Sequence, residues 1–157
     1  MLVVVSNESD VWFDNHQIIQ AAYFYASILL TKKRAEKIIL YIDINPNITD
    51  MASCVCEEDK QSPNEFTITI RGDDDDDDIL RSLAHEMVHL KQHAKNELRT
   101  SLVLSKGGKS KTVVKWHGKT VRFTKNEDRY FDAPWEVEAY GREGSLYNRF
   151  LDSIEKD

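Results

Sequence analysis

With 157 residues, 41% of them hydrophobic and 31% charged, the chain has the composition of a soluble globular protein and is long enough to bury a core without disulfide staples. One domain spanning 1–157 is expected. The formal charge of −6 is local: outside the run Asp73–Asp78, 21 acidic residues balance 21 Lys plus Arg, so no global field sets the choice of partner.

In chain order, Leu2–Val5 reads as a short strand. It follows no basic n-region, and the apolar run Ile18–Leu30 is broken by Gln20 and Ser27 and is too short to span a bilayer. No membrane partner is therefore expected, and the cytoplasm is the expected compartment. Asn15–Lys37 reads as one long amphipathic helix, with Ile18, Ala22, Tyr25, Ala26 and Leu29 inward and Lys32, Lys33 and Arg34 suiting its C-terminal end. Ile38–Ile44 is a strand closed by Asn45-Pro46-Asn47, and Phe66–Ile70 a second, alternating one. Cys54–Cys56 forms a weaker third. Its two thiols are expected to face opposite ways, giving neither a disulfide nor a clean metal pair.

Asp73–Asp78 stands just ahead of the next helix, where carboxylates supply an N-cap and complement the positive helix terminus. The Gly and Glu spacing of a calcium-binding EF-hand loop is absent. Beyond it, Leu80, Leu83, Met87, Leu90, Ala94 and Leu98 recur at steps of three and four, the apolar stripe of a core-facing helix. Inside that helix lies His85-Glu86-Met87-Val88-His89, an H-E-x-x-H motif. At about 100° per residue the two histidines project from one face, one turn apart and roughly opposite the stripe. Two imidazoles can then grip one zinc ion while Glu86 beside them serves as general base, the chemistry of a zinc hydrolase.

Ser105-Lys106-Gly107-Gly108-Lys109 reads as a loop, and Thr112–Trp116 and Thr120–Phe123 as a hairpin about His117-Gly118. Lys106, Lys109, Lys111, Lys115, Lys119, Arg122 and Lys125 make this stretch basic. Nucleic acid or an acidic substrate fits it, and a solvated lysine-rich hairpin fits it better. The last helix starts at Pro134 and turns Val137, Tyr140, Tyr147, Phe150, Leu151 and Ile154 to the core, with Gly141 and Gly144 loosening or bending it.

A catalytic zinc takes three protein ligands and leaves its fourth position open, so a third ligand is required. His93 stands about 12 Å along the axis from His85 on a continuous helix and cannot reach. His117 sits on a turn. Glu136 and Glu138, in the first turns of the last helix, are the better candidates, and about 200° between them lets only one face the metal.

The order H-E-x-x-H, a linker of tens of residues, then a helical Glu with a small residue three positions on, resembles the third-ligand arrangement of gluzincin-type metallopeptidases. Taken with Trp116-His117-Gly118-Lys119, Pro134-Trp135-Glu136 and Tyr140-Gly141-Arg142-Glu143, the stretch 60–150 resembles small SprT-like and minigluzincin-like metallopeptidases, including short proteins of tailed bacteriophages. That resemblance implies a compact α+β zincin-like fold: a small twisted sheet carrying the long N-terminal helix and the H-E-x-x-H helix, with the C-terminal helix supplying the third ligand. It implies Glu136 as that ligand, with Ala139 permitting close helix approach and Glu138 behind it. Tyr140 stands where many relatives carry an Asp that steadies a ligand histidine. The implied activity is peptide-bond hydrolysis on a peptide or protein substrate, in the host cytoplasm if the chain is phage-encoded. The substrate would pair with Phe66–Ile70, and Tyr130, His117 or Tyr140 would donate to the oxyanion. A zinc-bearing binding module, or a hydrolase of a non-protein amide, are the competing readings.

Overall fold

A computed structural model of the chain describes residues 1–8, 14–72, 75–104, 107–122 and 130–155. Asp73, Asp74, Ser105, Lys106, Phe123 and Lys125, all invoked above, lie outside the described residues. The fold is α+β, and among the described residues no helix is long and apolar enough to cross a membrane.

The larger sheet has strand order β1-β2-β4-β3, from β1 (Leu2–Asn7), β2 (Ile39–Asn45), β3 (Ala52–Cys56) and β4 (Glu65–Arg71). β1, β2 and β4 run parallel, and β3 lies antiparallel on the outer side of β4. Alternation assigns the faces: Leu40, Ile42 and Ile44 of β2 and Phe66, Ile68 and Ile70 of β4 are buried on one side, while Tyr41 and Val55 are exposed on the other. Among the described residues, helices cover the first side only. α1 (Asn15–Leu29) begins where the Asp14 side chain accepts from His16 N at 2.9 Å, and buries Ile18, Ala21, Ala22, Tyr25, Ala26 and Leu29.

The single long helix expected over 15–37 is two. Leu30 is extended, and Thr31 caps a separate short helix, α2 (Lys32–Ala35). The break lets Arg34 turn back, where it donates to Ala94 O (2.9 Å), Asn64 Oδ1 (2.7 Å) and Pro63 O.

α3 (Asp76–Ala94) runs through the middle of the protein. Its N-cap is Asp75, whose carboxylate accepts from Asp78 N at 2.9 Å, with Asp76, Asp77 and Asp78 in the first turn. The capping role expected of the acidic run is thus seen in its described part. The helix contradicts a simple apolar stripe backed by an open cleft. It packs against α1, β3, β4 and a last helix, so Ile79, Leu80 and nearly all of 83–94 are covered. It also stops short of Leu98. Asn96 adopts φ 58°, and Asn96 N and Glu97 N return to His93 O (2.9 Å) and Gln92 O (2.8 Å), which closes the helix with a Schellman motif built on Asn where Gly is usual.

Leu98 instead opens β5 (Leu98–Leu104), which pairs antiparallel with β6 (Ser110–Trp116), and β6 pairs with β7 (Lys119–Val121). The hairpin expected about His117-Gly118 turns on His117 (φ 46°) and Gly118 (φ 79°), both left-handed, which is type I′ geometry. Leu98, Ala133 and Trp135 form a small second core, backed by Val114, Trp116 and Val121.

α4 (Pro134–Ile154) starts with Pro in its first turn, as expected, and crosses α3. Its buried side is Trp135, Glu136, Ala139, Leu146, Tyr147 and Phe150. Val137, Tyr140 and Ile154, expected in the core, are exposed, because the face turned to α3 is the one that carries Glu136. Gly141 and Gly144 leave the helix continuous, and a Cβ at either would meet nothing within 4 Å.

Candidate metal centre

α3 and α4 bring three side chains of the expected set together. His85 Nε2 lies 3.1 Å from His89 Nε2 and 3.3 Å from Glu136 Oε2, and His89 Nε2 lies 3.4 Å from Glu136 Oε1. Ala139, one turn beyond Glu136, is fully buried at this crossing. The group could hold a metal ion. Four ligands at about 2.0–2.1 Å in a tetrahedron stand roughly 3.3 Å apart, close to the spacings observed.

Proton accounting points the same way. His85 Nδ1 is 2.8 Å from Glu143 Oε2, and a carboxylate only accepts, so that nitrogen carries the proton. On the other side Gln92 Nε2 donates to Trp135 O (2.9 Å) and Glu138 Oε2 (3.0 Å), which fixes the amide so that its Oε1 accepts from His89 Nδ1 at 2.9 Å. In the neutral imidazoles both Nε2 atoms then bear lone pairs. Two lone pairs and a carboxylate then converge, an arrangement that a cation satisfies.

Burial pushes the Glu136 carboxyl up, but the adjacent His85 and His89 imidazoles and a hydrogen bond from Tyr130 prevail and hold it well below the usual carboxylate range. Burial lowers both imidazoles, while Glu136 with Glu143 at His85, and Glu136 with Gln92 at His89, raise them by more. Glu86 is nearly buried in the wall of the same cleft. Desolvation pushes its carboxyl above the ordinary value, against the pull of His89 and His85.

The cleft has a volume of about 770 Å³. Ala52, Ser53 and Cys54 of β3 line one side, and Tyr130, Phe131 and Tyr140 another. Tyr140 sets its ring edge-on to His85, 4.6 Å between centroids, and the neighbouring turn's Glu143 takes the steadying role that an Asp at position 140 would have had. Glu138 points away from the cluster toward Lys91 Nζ (2.5 Å) and Gln92. Among the described residues His93 is not in the group that could hold a metal ion; its ring bonds the backbone of Leu98, and burial and the nearby His89 lower its pKa to about 4. His117 is not among the described residues lining the cleft.

Sequence reasoning missed Glu143, Gln92 and Lys91. Glu143 is two turns beyond Glu136 on the same face, and Gln92 one turn beyond His89, so helical spacing was the available signal. Cys54 and Cys56 correct another expectation. Both project from the inner face of β3, since alternate residues of a strand share a face, and both are free thiols with pKa values raised by burial. β4, expected to border the cleft and take the substrate, is paired on both sides, and β3 occupies that edge.

No protein-family model, curated protein or solved structure matches this chain.

Proposed function

We propose that this chain is a zinc-dependent metallopeptidase of zincin-like fold, with His85, His89 and Glu136 as the metal ligands and Glu86 as general base. The observation that carries the reading is the convergence of two imidazole lone pairs and one carboxylate, 3.1–3.4 Å apart, from two crossing helices. Two His and one Glu form a recurrent catalytic zinc set that leaves one position open, whereas structural sites fill all four. Zinc held there supplies a Lewis acid that polarises the scissile carbonyl and makes a water acidic enough to ionise near neutral pH.

The protein's own groups do the rest. Glu143 and Gln92 hold the ligand rings in one tautomer. Glu86, desolvated and raised in pKa, accepts the proton of the attacking water and returns it to the leaving amine. Tyr130 and Tyr140 line the cleft wall, and either would donate to the oxyanion. The free edge of β3 offers the backbone groups that an extended peptide pairs with.

The test is Glu86→Gln. The amide fills the same space and cannot take the proton, so the variant should keep its fold and its zinc and lose peptide hydrolysis by about 100-fold or more. An active variant would refute the mechanism. A wild type that binds zinc and cleaves nothing in a broad peptide library would make the chain a zinc-bearing binding module instead.

A further inference from the structure

The cleft does not end at the metal cluster. A second cavity of about 300 Å³ is lined by Cys54, Val55 and Cys56 of β3 and by Leu98, Arg99 and Thr100 of β5. Cys54, His93 and Leu98 line both spaces, so the two form one groove running along β3. Both strands flanking its far half are sheet edges: β3 ends the larger sheet and β5 ends the smaller.

The hydrogen-bond phase of each ladder shows which backbone groups turn away from the paired strand. On β3, the bonds Arg71 N to Met51 O (2.8 Å) and Glu57 N to Glu65 O (3.0 Å) make Met51 and Glu57 hydrogen-bonded positions. By alternation Ser53 and Val55 also bond inward to β4, and the N–H and C=O of Ala52, Cys54 and Cys56 point outward. On β5, His117 N to Glu97 O (2.7 Å) sets the phase. Arg99 and Ser101 therefore bond to β6, while Leu98 and Thr100 turn their backbone groups out. The Leu98 carbonyl already accepts from the His93 ring, so Thr100 is the β5 residue of this cavity whose outward N–H and C=O are the candidates for pairing.

We infer that the groove takes one extended polypeptide segment as a strand between two sheets, paired to Cys54 and Cys56 of β3 on one side and to Thr100 of β5 on the other. An unpaired edge is a template for strand addition, and two facing edges can satisfy both sides of one inserted strand. This rests on the peptidase reading and narrows its substrate class. From Ala52 beside the cluster to Cys56 is about 13 Å at 3.3 Å per residue, so the substrate is an extended chain reaching about four residues beyond the metal on one side. A short amide or a folded surface loop does not meet that requirement.

The experiment uses zinc-loaded Glu86→Gln protein and, as probe, reduced carboxymethylated α-lactalbumin, an unfolded polypeptide, with amide hydrogen exchange read residue by residue. Added protection at Cys54, Cys56 and Thr100, with Ser53, Val55 and Arg99 unchanged, is the expected result. Protection at Cys54 and Cys56 alone would overturn the two-edged groove. Wild-type hydrolysis in parallel separates the two ideas: cleavage without protection at Thr100 sinks this inference and spares the peptidase, and protection without cleavage does the reverse. Thr100→Pro gives a second reading, because it removes an outward N–H and leaves the β5–β6 ladder intact. It should slow cleavage of the unfolded protein about tenfold, the effect of one lost backbone hydrogen bond, with zinc content unchanged. An unchanged rate would contradict the inference.

Discussion

The α3–α4 crossing and the β5–β7 sheet break the ordinary burial rule in opposite senses. At the crossing, polar groups go inside: Gln92 is 0% and Lys91 6% exposed, with Glu136 at 3%. In the sheet, apolar groups stay outside, with Leu102 75% and Leu104 79% exposed. Burying Lys91 and Gln92 costs free energy unless every polar atom is partnered, and here the partners are in place. Lys91 meets Glu97 at 2.6 Å and Glu138 at 2.5 Å, and the Gln92 amide uses its oxygen and both hydrogens. A buried network of this kind fixes geometry more than it stabilises, and the geometry it fixes is that of His89. The exposed leucines are held by no such set of partners, and their surroundings specify little.

This contrast can be broken by mutation. The largest effect is expected at Lys91→Met, which takes the buried ammonium away from Glu138 and Glu97. Breaking a buried pair costs about 3–5 kcal/mol, and because both carboxylates keep some contact with water a loss nearer 2–3 kcal/mol is expected in denaturant unfolding. A loss below 0.5 kcal/mol, the range of ordinary surface changes, would show that the pair is solvated and the network dispensable. Next comes Gln92→Leu, which frees the His89 ring. Zinc affinity measured against a chelator should fall about 10–100-fold, the usual effect of losing the group that orients a ligand. Glu143→Ala should act in the same range at His85. Unchanged affinity in both would mean that the rings need no outer support.

These networks were also the least legible part of the chain. The pairing of His85 and His89 on one helix face follows from helical spacing, the choice of Glu136 over Glu138 comes from the resemblance and its small Ala139, and both ligand helices are present. Glu143 and Gln92 lie at the same spacings but read as ordinary polar residues until a second helix packs over them. The stop of α3 escaped notice because Asn96, not Gly, holds the left-handed position. Val137 and Tyr140 pointed to the wrong buried face of α4, since a helix that delivers a carboxylate inward buries a polar stripe there and puts apolar residues outside. The position of β3 beyond β4 is set by long-range pairing, which local pattern does not encode.

A smaller effect should follow from Asp75→Ala, which removes the side-chain cap of α3 and should cost about 1 kcal/mol in unfolding with zinc content unaltered. A change in zinc content would tie the cap to the centre after all. The smallest belongs to the sheet: Leu102→Ser with Leu104→Ser should shift stability by no more than about 0.5 kcal/mol each. A large loss would mean that these leucines are covered in the protein in solution.

The central claim is that His85, His89 and Glu136 form one zinc site, and zinc X-ray absorption on the purified protein tests it most directly. The account predicts one zinc per chain in a shell of two imidazole nitrogens and light oxygen scatterers, with the metal lost or severely weakened in Glu136→Ala. A protein devoid of zinc, a sulfur scatterer from Cys54 or Cys56, or full occupancy in Glu136→Ala would contradict it.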